Sequence, residues 1–285
     1  MKENIGKIRG LLAAHYPAGE IDAFIRIIFE KLMRYSAVDL AMHASDTLPE
    51  PVARKIDDIT ARLIEREPIQ YILDDAYFYG LHFHVSRGTF IPRPETERLV
   101  DMVAAENTAS DLQVLDIGTG CGCIAIALAR TLKFPMVTAT DISATALEVA
   151  RRNALELKAR VGFKQADILA TPTPSNPTYD IIVSNPPYIA ISEREAMDRN
   201  VLDYEPHEAL FVGDDNPLLF YKAIAAYAIA ALKKGGRLYL EINPRFASDV
   251  ERLLDATGFT AIDTERDYTG KLRFTTATRK KNDYT

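Results

Sequence analysis

The fold can be predicted from one stretch of sequence, Leu115-Asp116-Ile117-Gly118-Thr119-Gly120-Cys121-Gly122. Its apolar start belongs to a candidate strand, Gln113–Ile117, and its alternate glycines precede a candidate helix, Ile124–Thr131. The glycines let the backbone turn tightly, and they let a ligand touch the main chain where any Cβ would collide with it. In an open parallel sheet, ligands bind at this carboxyl edge of the strands. The stretch therefore predicts an α/β sheet with a ligand site after its first strand.

Strand and helix segments alternate along the chain after residue 111. Short apolar strands separated by helices are typical of a parallel sheet that is covered on both faces. We predict a doubly wound, mostly parallel, seven-stranded α/β fold of the Rossmann-like type, closed by an antiparallel hairpin. The later predicted strands are Met136–Thr140, Val161–Gln165, Tyr179–Ser184, Arg237–Ile242, Thr260–Asp263 and Leu272–Thr278, and the later helices are Ala144–Leu157, Leu218–Leu232 and Phe246–Ala256.

The N-terminal quarter of the chain has a different pattern. Apolar residues between Ile21 and Leu32 recur at helical spacing, as do those between Val52 and Leu63, and no strand-like alternation interrupts them. We predict a small helical bundle domain at residues 1–75. Alternating apolar residues and glycines then indicate a hairpin linker at residues 76–94, followed by the α/β domain at residues 95–285.

The composition indicates a globular protein with a substantial core. Of the 285 residues, 47% are hydrophobic and 26% are charged, and this length suits about two domains. The longest apolar stretches, such as Ala225–Leu232, are much shorter than the ~20 residues of a membrane span. The polar N-terminus leads into no signal-like apolar run. We therefore expect a cytoplasmic protein that does not bind a membrane.

The charges, cysteines and histidines argue against nucleic-acid binding, disulfide bonds and metal sites. The chain has 34 Lys and Arg against 40 Asp and Glu, a net charge of −6, so stable binding to nucleic acid is not expected. Cys121 and Cys123 form neither a disulfide framework nor a CxxC metal pair, and we interpret them as small packing residues. His82 and His84 have no third partner at ligand spacing, so no metal site is expected.

A carboxylate, Asp141, follows the second strand and could accept both hydroxyls of a ribose. The G-x-G-x-G spacing differs from the dinucleotide fingerprint G-x-G-x-x-G, which would need a glycine at Cys123. Without a pyrophosphate signal, S-adenosyl-L-methionine is the nucleoside that fits best. We predict that the cofactor is bound by Gly118, Thr119, Gly120, Cys121, Gly122 and Asp141.

Two residues after the third strand complete the predicted cofactor site. Asp167 and Ile168 could flank the adenine. Taken alone, Asp167 is more typical of a turn or a cap, because Asp favours such positions.

The fourth strand ends in Asn185-Pro186-Pro187-Tyr188. Two prolines remove two backbone donors, so the Asn185 amide oxygen and the Pro186 carbonyl can accept both N–H groups of one planar NH₂. Tyr188 would form an aromatic wall beside it. This arrangement suits methylation of an amide or aryl amine, whose nitrogen is weakly nucleophilic and gains from exact positioning. We predict Asn185, Pro186 and Tyr188 as catalytic residues and Asn185 also as a cofactor contact. These three residues and Pro187 form the predicted substrate site.

The chain resembles the release factor glutamine methyltransferases, the HemK or PrmC family, over most of its length. The similar segments are Glu67–Ile72, Phe78–Gly80, Ile91–Glu97, the glycine loop, Asn185–Tyr188, Tyr204–Pro206 with Ala209-Leu210, and Leu240–Ile242. The Asn-Pro-Pro-Tyr element is shared with adenine-N6 DNA methyltransferases, whereas the Ile-Pro-Arg-Pro segment and the helical domain are more particular to the glutamine enzymes. One departure is Asn243-Pro244, where the family usually has a glycine.

The resemblance implies a methyltransferase domain and a helical domain that helps to bind the substrate protein. It implies transfer of methyl from S-adenosyl-L-methionine to the side-chain nitrogen (N5) of the glutamine in the Gly-Gly-Gln loop of peptide chain release factors, with S-adenosyl-L-homocysteine as the second product. By analogy, Arg93 could contact substrate or cofactor. Glu205 and Glu208 are interpreted as solvated or capping carboxylates.

Several alternatives stay open at this point. A ribosomal-protein glutamine methyltransferase is the nearest one. A DNA adenine-N6 methyltransferase would need a basic cleft, which the charges do not support. A nicotinamide-dependent oxidoreductase would need the glycine spacing that Cys123 interrupts. A module that only senses the cofactor would not need the Asn-Pro-Pro-Tyr acceptors.

Overall fold

The computed structural model describes residues 1–281, and these form two compact units. One consists of Met1–Asp75 with Asp198–Tyr204, and the other of Ala76–Met197 with the residues from Glu205 onward. The domain boundaries proposed from the sequence stay a prediction. Residues 282–285 of the predicted methyltransferase domain lie outside the described residues.

The N-terminal unit is entirely helical, as predicted. The apolar stripe of its longest helix is buried, with Ile28 and Phe29 fully inaccessible beside Leu12 and Leu63 of neighbouring helices. A capping box, in which Ser36 and Asp39 each accept a bond from the other's backbone N–H, starts the third helix. The helices are α1 (Lys2–Leu12), α2 (Ala18–Met33), α3 (Ala37–Met42), α4 (Glu50–Ile64), α5 (Ile69–Leu73) and, later in the chain, α9 (Arg199–Tyr204).

The second unit begins with a short antiparallel hairpin and continues as alternating strands and helices. Its strands are β1 (Ala76–Phe78), β2 (Leu81–Phe83), β3 (Gln113–Ile117), β4 (Met136–Asp141), β5 (Val161–Gln165), β6 (Tyr179–Ser184), β7 (Ile189–Ala190), β8 (Phe211–Val212), β9 (Leu232–Glu241), β10 (Phe259–Arg266) and β11 (Leu272–Arg279). Its helices are α6 (Glu97–Glu106), α7 (Cys123–Thr131), α8 (Ala144–Glu156), α10 (Leu219–Ala231) and α11 (Ala247–Thr257).

Seven of these strands form one sheet in the order β10-β11-β9-β6-β3-β4-β5. All neighbours are parallel except β11, which is antiparallel to both β9 and β10. Residues Ile181–Val183 of β6 are fully buried, which is typical of a parallel strand covered on both faces. The predicted doubly wound, seven-stranded fold is confirmed.

The order of the strands reverses between β3 and β6. From β3 the chain proceeds to β4 and β5 on one side, and then returns to place β6 and β9 on the other. A ligand site in an open α/β sheet lies in the crevice at this switch point, beyond the carboxyl ends of the strands. Within residues 1–281, no helix is both long and apolar enough to cross a membrane.

Candidate active site

The glycine loop and the Asn-Pro-Pro-Tyr loop leave the sheet side by side. Strands β3 and β6 are hydrogen-bonded parallel neighbours in which Ile117 is paired with Ser184, and such strands lie about 4.8 Å apart. The Ser184 hydroxyl donates to the Ile117 carbonyl at 2.6 Å and joins the two strand ends. The structure therefore brings the two predicted loops together at the switch point.

Two of the three loop glycines form an open cradle. Gly118, Gly120 and Gly122 have φ values of 74°, 56° and 88°, in the left-handed region that favours glycine. A Cβ at Gly118 or Gly120 would meet no heavy atom within 4 Å. A Cβ at Gly122 would approach Ala150 of α8 to 3.1 Å. The third glycine thus lies close against α8, where a side chain would crowd Ala150, and its contact with a cofactor stays a prediction.

Hydrogen bonds fix the shape of the glycine loop. The Gly118 and Thr119 amides donate to the Thr140 carbonyl at 2.8 and 2.9 Å. The Asp141 carboxylate accepts from the Gly120 amide at 2.8 Å and from the Ser143 amide at 2.9 Å. Burial raises the pKa of Asp141, and these amide donors oppose the increase. Each carboxylate oxygen can accept a further bond, and binding of a ribose by Asp141 stays a prediction.

Asn153 is a buried contact of the loop that sequence reasoning missed. Its side chain donates to the Cys121 carbonyl at 2.9 Å and to the His84 carbonyl at 3.0 Å, and it accepts from the His84 amide at 2.8 Å. An asparagine on the buried face of α8 was the available signal. Cys121 and Cys123 are buried free thiols, as their interpretation as packing residues requires.

Asp167 and Ile168 occupy the turn after β5. The Asp167 side chain accepts from the Leu169 amide at 2.8 Å and its carbonyl accepts from the Thr171 amide at 2.8 Å, so a turn role explains this residue. Ile168 lines a cavity of about 70 Å³ together with Ile117 and other residues of the sheet. Contacts of both residues with adenine stay a prediction.

Asp116 is the second residue that sequence reasoning missed. It is fully buried directly before the glycine loop, and its Oδ2 accepts from the Thr119 hydroxyl at 2.7 Å. Its Oδ1 has no hydrogen-bond partner among residues 1–281. Burial raises the pKa of Asp116 to about 7, against the Thr119 hydroxyl, which favours the charged form. A buried carboxyl group with an unpartnered oxygen, beside an open glycine loop, fits S-adenosyl-L-methionine, because the cationic sulfur and the ammonium group of that cofactor would favour the ionised form of the carboxyl.

This burial has a measurable consequence for the Asp116→Asn variant. The pKa of the carboxyl is 3.8 when unperturbed and about 7 when folded, so folding favours the protonated form. Ionisation therefore lowers the free energy of unfolding of the wild type. This loss is absent below pH 4, grows up to pH 7 and is constant above it, with an upper bound of about 4 kcal/mol. The free energy of unfolding of the variant minus that of the wild type should increase by about 1–3 kcal/mol between pH 4 and pH 8. Urea unfolding of both cofactor-free proteins at the two pH values measures this difference. A difference that does not change with pH would contradict the raised pKa of Asp116.

The second loop presents two free acceptors. Asn185, Pro187 and Tyr188 are half-buried and Pro186 is buried. Asn185 Nδ2 donates to the Thr96 hydroxyl at 3.3 Å. Neither the Asn185 Oδ1 nor the Pro186 carbonyl oxygen accepts a hydrogen bond from any described residue. Both atoms are thus free to bind a substrate NH₂ group, as their predicted role requires.

The Tyr188 hydroxyl belongs to a buried polar network. It donates to Glu241 Oε1 at 3.0 Å and accepts from Arg273 Nη1 at 3.1 Å. Burial, together with the nearby Glu241 carboxylate, raises the pKa of Tyr188 well above its usual range. Tyr188 therefore stays protonated and cannot serve as a base. Among residues 1–281, no group of three or more His, Cys, Asp or Glu side chains could hold a metal ion.

The interpretation of Glu205 as a solvated or capping residue was wrong. Its side chain is 1% exposed, and it accepts from Arg93 Nη2 at 2.5 Å and from the Ile91 amide at 3.2 Å. Arg93 also lies over the Phe90 ring at 4.7 Å. This ion pair holds the Ile-Pro-Arg-Pro segment, and contact of Arg93 with substrate or cofactor stays a prediction.

Asn243, the departure from the usual glycine, contacts the Asn-Pro-Pro-Tyr loop. Its Nδ2 donates to the Tyr188 carbonyl at 3.0 Å and to Glu193 Oε2 at 2.7 Å, and its Oδ1 accepts from the Arg245 amide at 3.0 Å. The asparagine at this departure therefore supports the Asn-Pro-Pro-Tyr loop.

The comparisons with known proteins agree with the motifs. A family model described as PrmC N-terminal domain matches residues 6–73, and one described as Methyltransferase small domain matches residues 95–203. A release factor glutamine methyltransferase from Bacteroides thetaiotaomicron is 42% identical over 272 residues, which is 95% of this chain and 98% of the relative. One from Flavobacterium psychrophilum is 40% identical over 266 residues, which is 92% of this chain and 93% of the relative.

A solved structure supports the fold. A methyltransferase from Pyrococcus furiosus aligns with a TM-score of 0.54 over 79% of this chain and the whole of that chain, at 16% identity. Likeness at that identity shows the fold alone, whereas the two sequence relatives are aligned over nearly their full length. The resemblance inferred from the motifs is thereby confirmed, and the chain belongs to the release factor glutamine methyltransferase family.

Proposed function

We propose that the chain methylates the N5 amide nitrogen of the glutamine in the Gly-Gly-Gln loop of peptide chain release factors. The observation that carries the proposal is the pair of free acceptors, Asn185 Oδ1 and the Pro186 carbonyl, on the strand next to an open glycine cradle. The relatives' names say that they are release factor glutamine methyltransferases. Because release factors act on ribosomes, the cytoplasm is the proposed location.

The cofactor is S-adenosyl-L-methionine. Gly118 and Gly120 leave room for it, Asp141 would accept its ribose hydroxyls, and the buried Asp116 carboxyl would stabilise its positive charges once ionised. Asp167 and Ile168 would lie beside the adenine. The chemistry that the cofactor supplies is a methyl group on a cationic sulfur, which the glutamine nitrogen takes over to give N5-methylglutamine and S-adenosyl-L-homocysteine.

The residues of the second loop act by positioning. An amide nitrogen is a weak nucleophile because its lone pair is delocalised into the carbonyl. Two acceptors that hold both N–H groups fix the direction of that lone pair, and positioning of this kind can supply about 7–11 kcal/mol of rate enhancement. After transfer the surplus N–H proton passes from the nitrogen to water, and Tyr188, which stays protonated, takes no part in removing it.

The alternative substrates are not favoured. A DNA adenine-N6 methyltransferase shares the Asn-Pro-Pro-Tyr element, but the chain has 34 basic against 40 acidic residues, the opposite of what a phosphate backbone needs. A ribosomal-protein glutamine would fit the same two acceptors. The helical unit, which matches the PrmC N-terminal domain, favours the release factor, to whose binding it would contribute.

A transfer assay with three substrates tests the proposal. The protein is incubated with radiolabelled S-adenosyl-L-methionine and, in separate tubes, a purified release factor, ribosomal protein and DNA. We expect label in the release factor, and none in a control release factor whose loop glutamine is replaced by glutamate. Label confined to DNA or to ribosomal protein would overturn the proposal.

A further inference from the structure

One buried carboxylate is connected to both ends of the Asn-Pro-Pro-Tyr loop. Glu241, the last residue of β9, is 1% exposed. Its Oε2 accepts from the Thr96 hydroxyl at 2.7 Å, and its Oε1 accepts from the Tyr188 hydroxyl at 3.0 Å. Thr96 is itself buried and accepts from Asn185 Nδ2 at 3.3 Å. Glu241 is thus linked to Tyr188 directly and to Asn185 through one hydroxyl group.

The number of protons in this chain of bonds decides which way the Asn185 amide faces. A carboxylate only accepts, and a threonine hydroxyl has a single hydrogen to donate. Because Thr96 gives that hydrogen to Glu241, its oxygen can only accept from Asn185. The group of Asn185 next to Thr96 must then be the NH₂, and the amide oxygen faces the other way.

We infer that Thr96 and Glu241 are positioning residues that orient the Asn185 amide so that its oxygen, and not its NH₂ group, meets the substrate nitrogen. With the amide reversed, the NH₂ group of Asn185 would face the NH₂ group of the substrate. On the other side, the amide oxygen of Asn185 would face the hydroxyl oxygen of Thr96. Both contacts are unfavourable, and the second would lie at the buried Thr96, where an unsatisfied polar group is costly.

Two hydroxyl groups and one guanidinium group stabilise the carboxylate form of Glu241 against the effect of its burial. Burial raises the pKa of Glu241, whereas the Thr96 and Tyr188 hydroxyls and the positive charge of Arg273 oppose the increase. Arg273 is held in turn by Asp267, whose Oδ2 accepts from Arg273 Nε at 3.1 Å. The Asp267 carboxylate completes a polar chain that runs from the turn after β10 to the Asn-Pro-Pro-Tyr loop.

The test uses Thr96→Val, which has nearly the same shape without the hydroxyl, and Thr96→Ser, which keeps the hydroxyl. We expect Thr96→Val to lower kcat about 10- to 100-fold with the KM for S-adenosyl-L-methionine unchanged, and Thr96→Ser to stay within about 3-fold of wild type. In an Asn185→Ala background, Thr96→Val should cause no further loss, because it acts through the missing amide. An equal loss in both backgrounds, or an equal loss in Thr96→Ser, overturns the inference.

The kinetic experiments rest on the proposed function, whereas an NMR measurement tests the orientation of the Asn185 amide independently of it. The side-chain NH₂ signals of Asn185 are assigned by their absence in Asn185→Ala. In the wild type their exchange with solvent should be slower than in Thr96→Val, because Thr96 holds the NH₂. An unchanged exchange rate overturns the inference whatever the substrate is, whereas a wild type inactive on release factors contradicts the proposed function alone.

Discussion

The Asn185→Ala variant will bind S-adenosyl-L-methionine as the wild type does and will lose about 10²–10³-fold in kcat on the release factor. The alanine removes one of two acceptors that hold the substrate nitrogen in line, and loss of one preorganised hydrogen-bonding group at a reacting centre has an effect of this size. The fold should be unaffected, because the Asn185 amide oxygen has no partner within the described protein and its NH₂ contributes one bond of 3.3 Å. Calorimetric titration with the cofactor and single-turnover transfer measure the two quantities.

The matched control is Asn176→Ala, in the exposed loop before β6. It should change neither cofactor affinity nor turnover. Turnover by Asn185→Ala close to that of the control would remove the mechanism, and an equal fall in cofactor affinity would move Asn185 from the substrate to the cofactor.

Replacement of Gly118 by alanine should abolish most cofactor binding. The φ of Gly118 is +74° and an added Cβ meets no protein atom within 4 Å, so the predicted obstacle is the bound cofactor itself. We expect the Kd for S-adenosyl-L-methionine to rise about 10²-fold or more, which corresponds to about 3 kcal/mol. The left-handed backbone adds a strain of roughly 1–2 kcal/mol to the folded state.

Gly80 provides a matched control for the strain. It also has a φ of +74° with no heavy atom within 4 Å of an added Cβ, but it lies in the turn between β1 and β2. Gly80→Ala should therefore lose the same stability as Gly118→Ala in urea unfolding and keep its cofactor affinity. If both variants bind the cofactor equally well, the open space at Gly118 is not the cofactor site.

The strands of the sheet and the two site loops could be predicted from the sequence, because each depends on residues that are close together in the chain. The glycines fix the exit from β3, and the prolines fix the exit from β6, so the predicted strands Gln113–Ile117 and Tyr179–Ser184 agree with the structure. Strand β10 is longer than predicted: it runs from Phe259 to Arg266, and an irregularity at Ala261, whose φ is +48°, interrupts the alternation on which the prediction depended.

The contacts that support the site could not be predicted, because they join residues that are far apart in the sequence. Thr96 and Glu241 are separated by 145 positions, and Arg93 and Glu205 by 112. A single sequence does not indicate which buried carboxylate meets which hydroxyl or guanidinium group. Asp116 is different, because the sequence already showed an acidic residue within a predicted buried strand. Only the structure showed that one of its carboxylate oxygens lacks a hydrogen-bond partner.

The most direct test of the central claim is a crystal structure of the protein with S-adenosyl-L-homocysteine and a peptide containing Gly-Gly-Gln. We predict that the glutamine NH₂ donates to both Asn185 Oδ1 and the Pro186 carbonyl. The nitrogen should point at the sulfur, so that a methyl group on that sulfur would stand about 3–3.5 Å from it. A glutamine nitrogen bound to other atoms, or a nucleoside bound away from Gly118 and Gly120, would contradict the account.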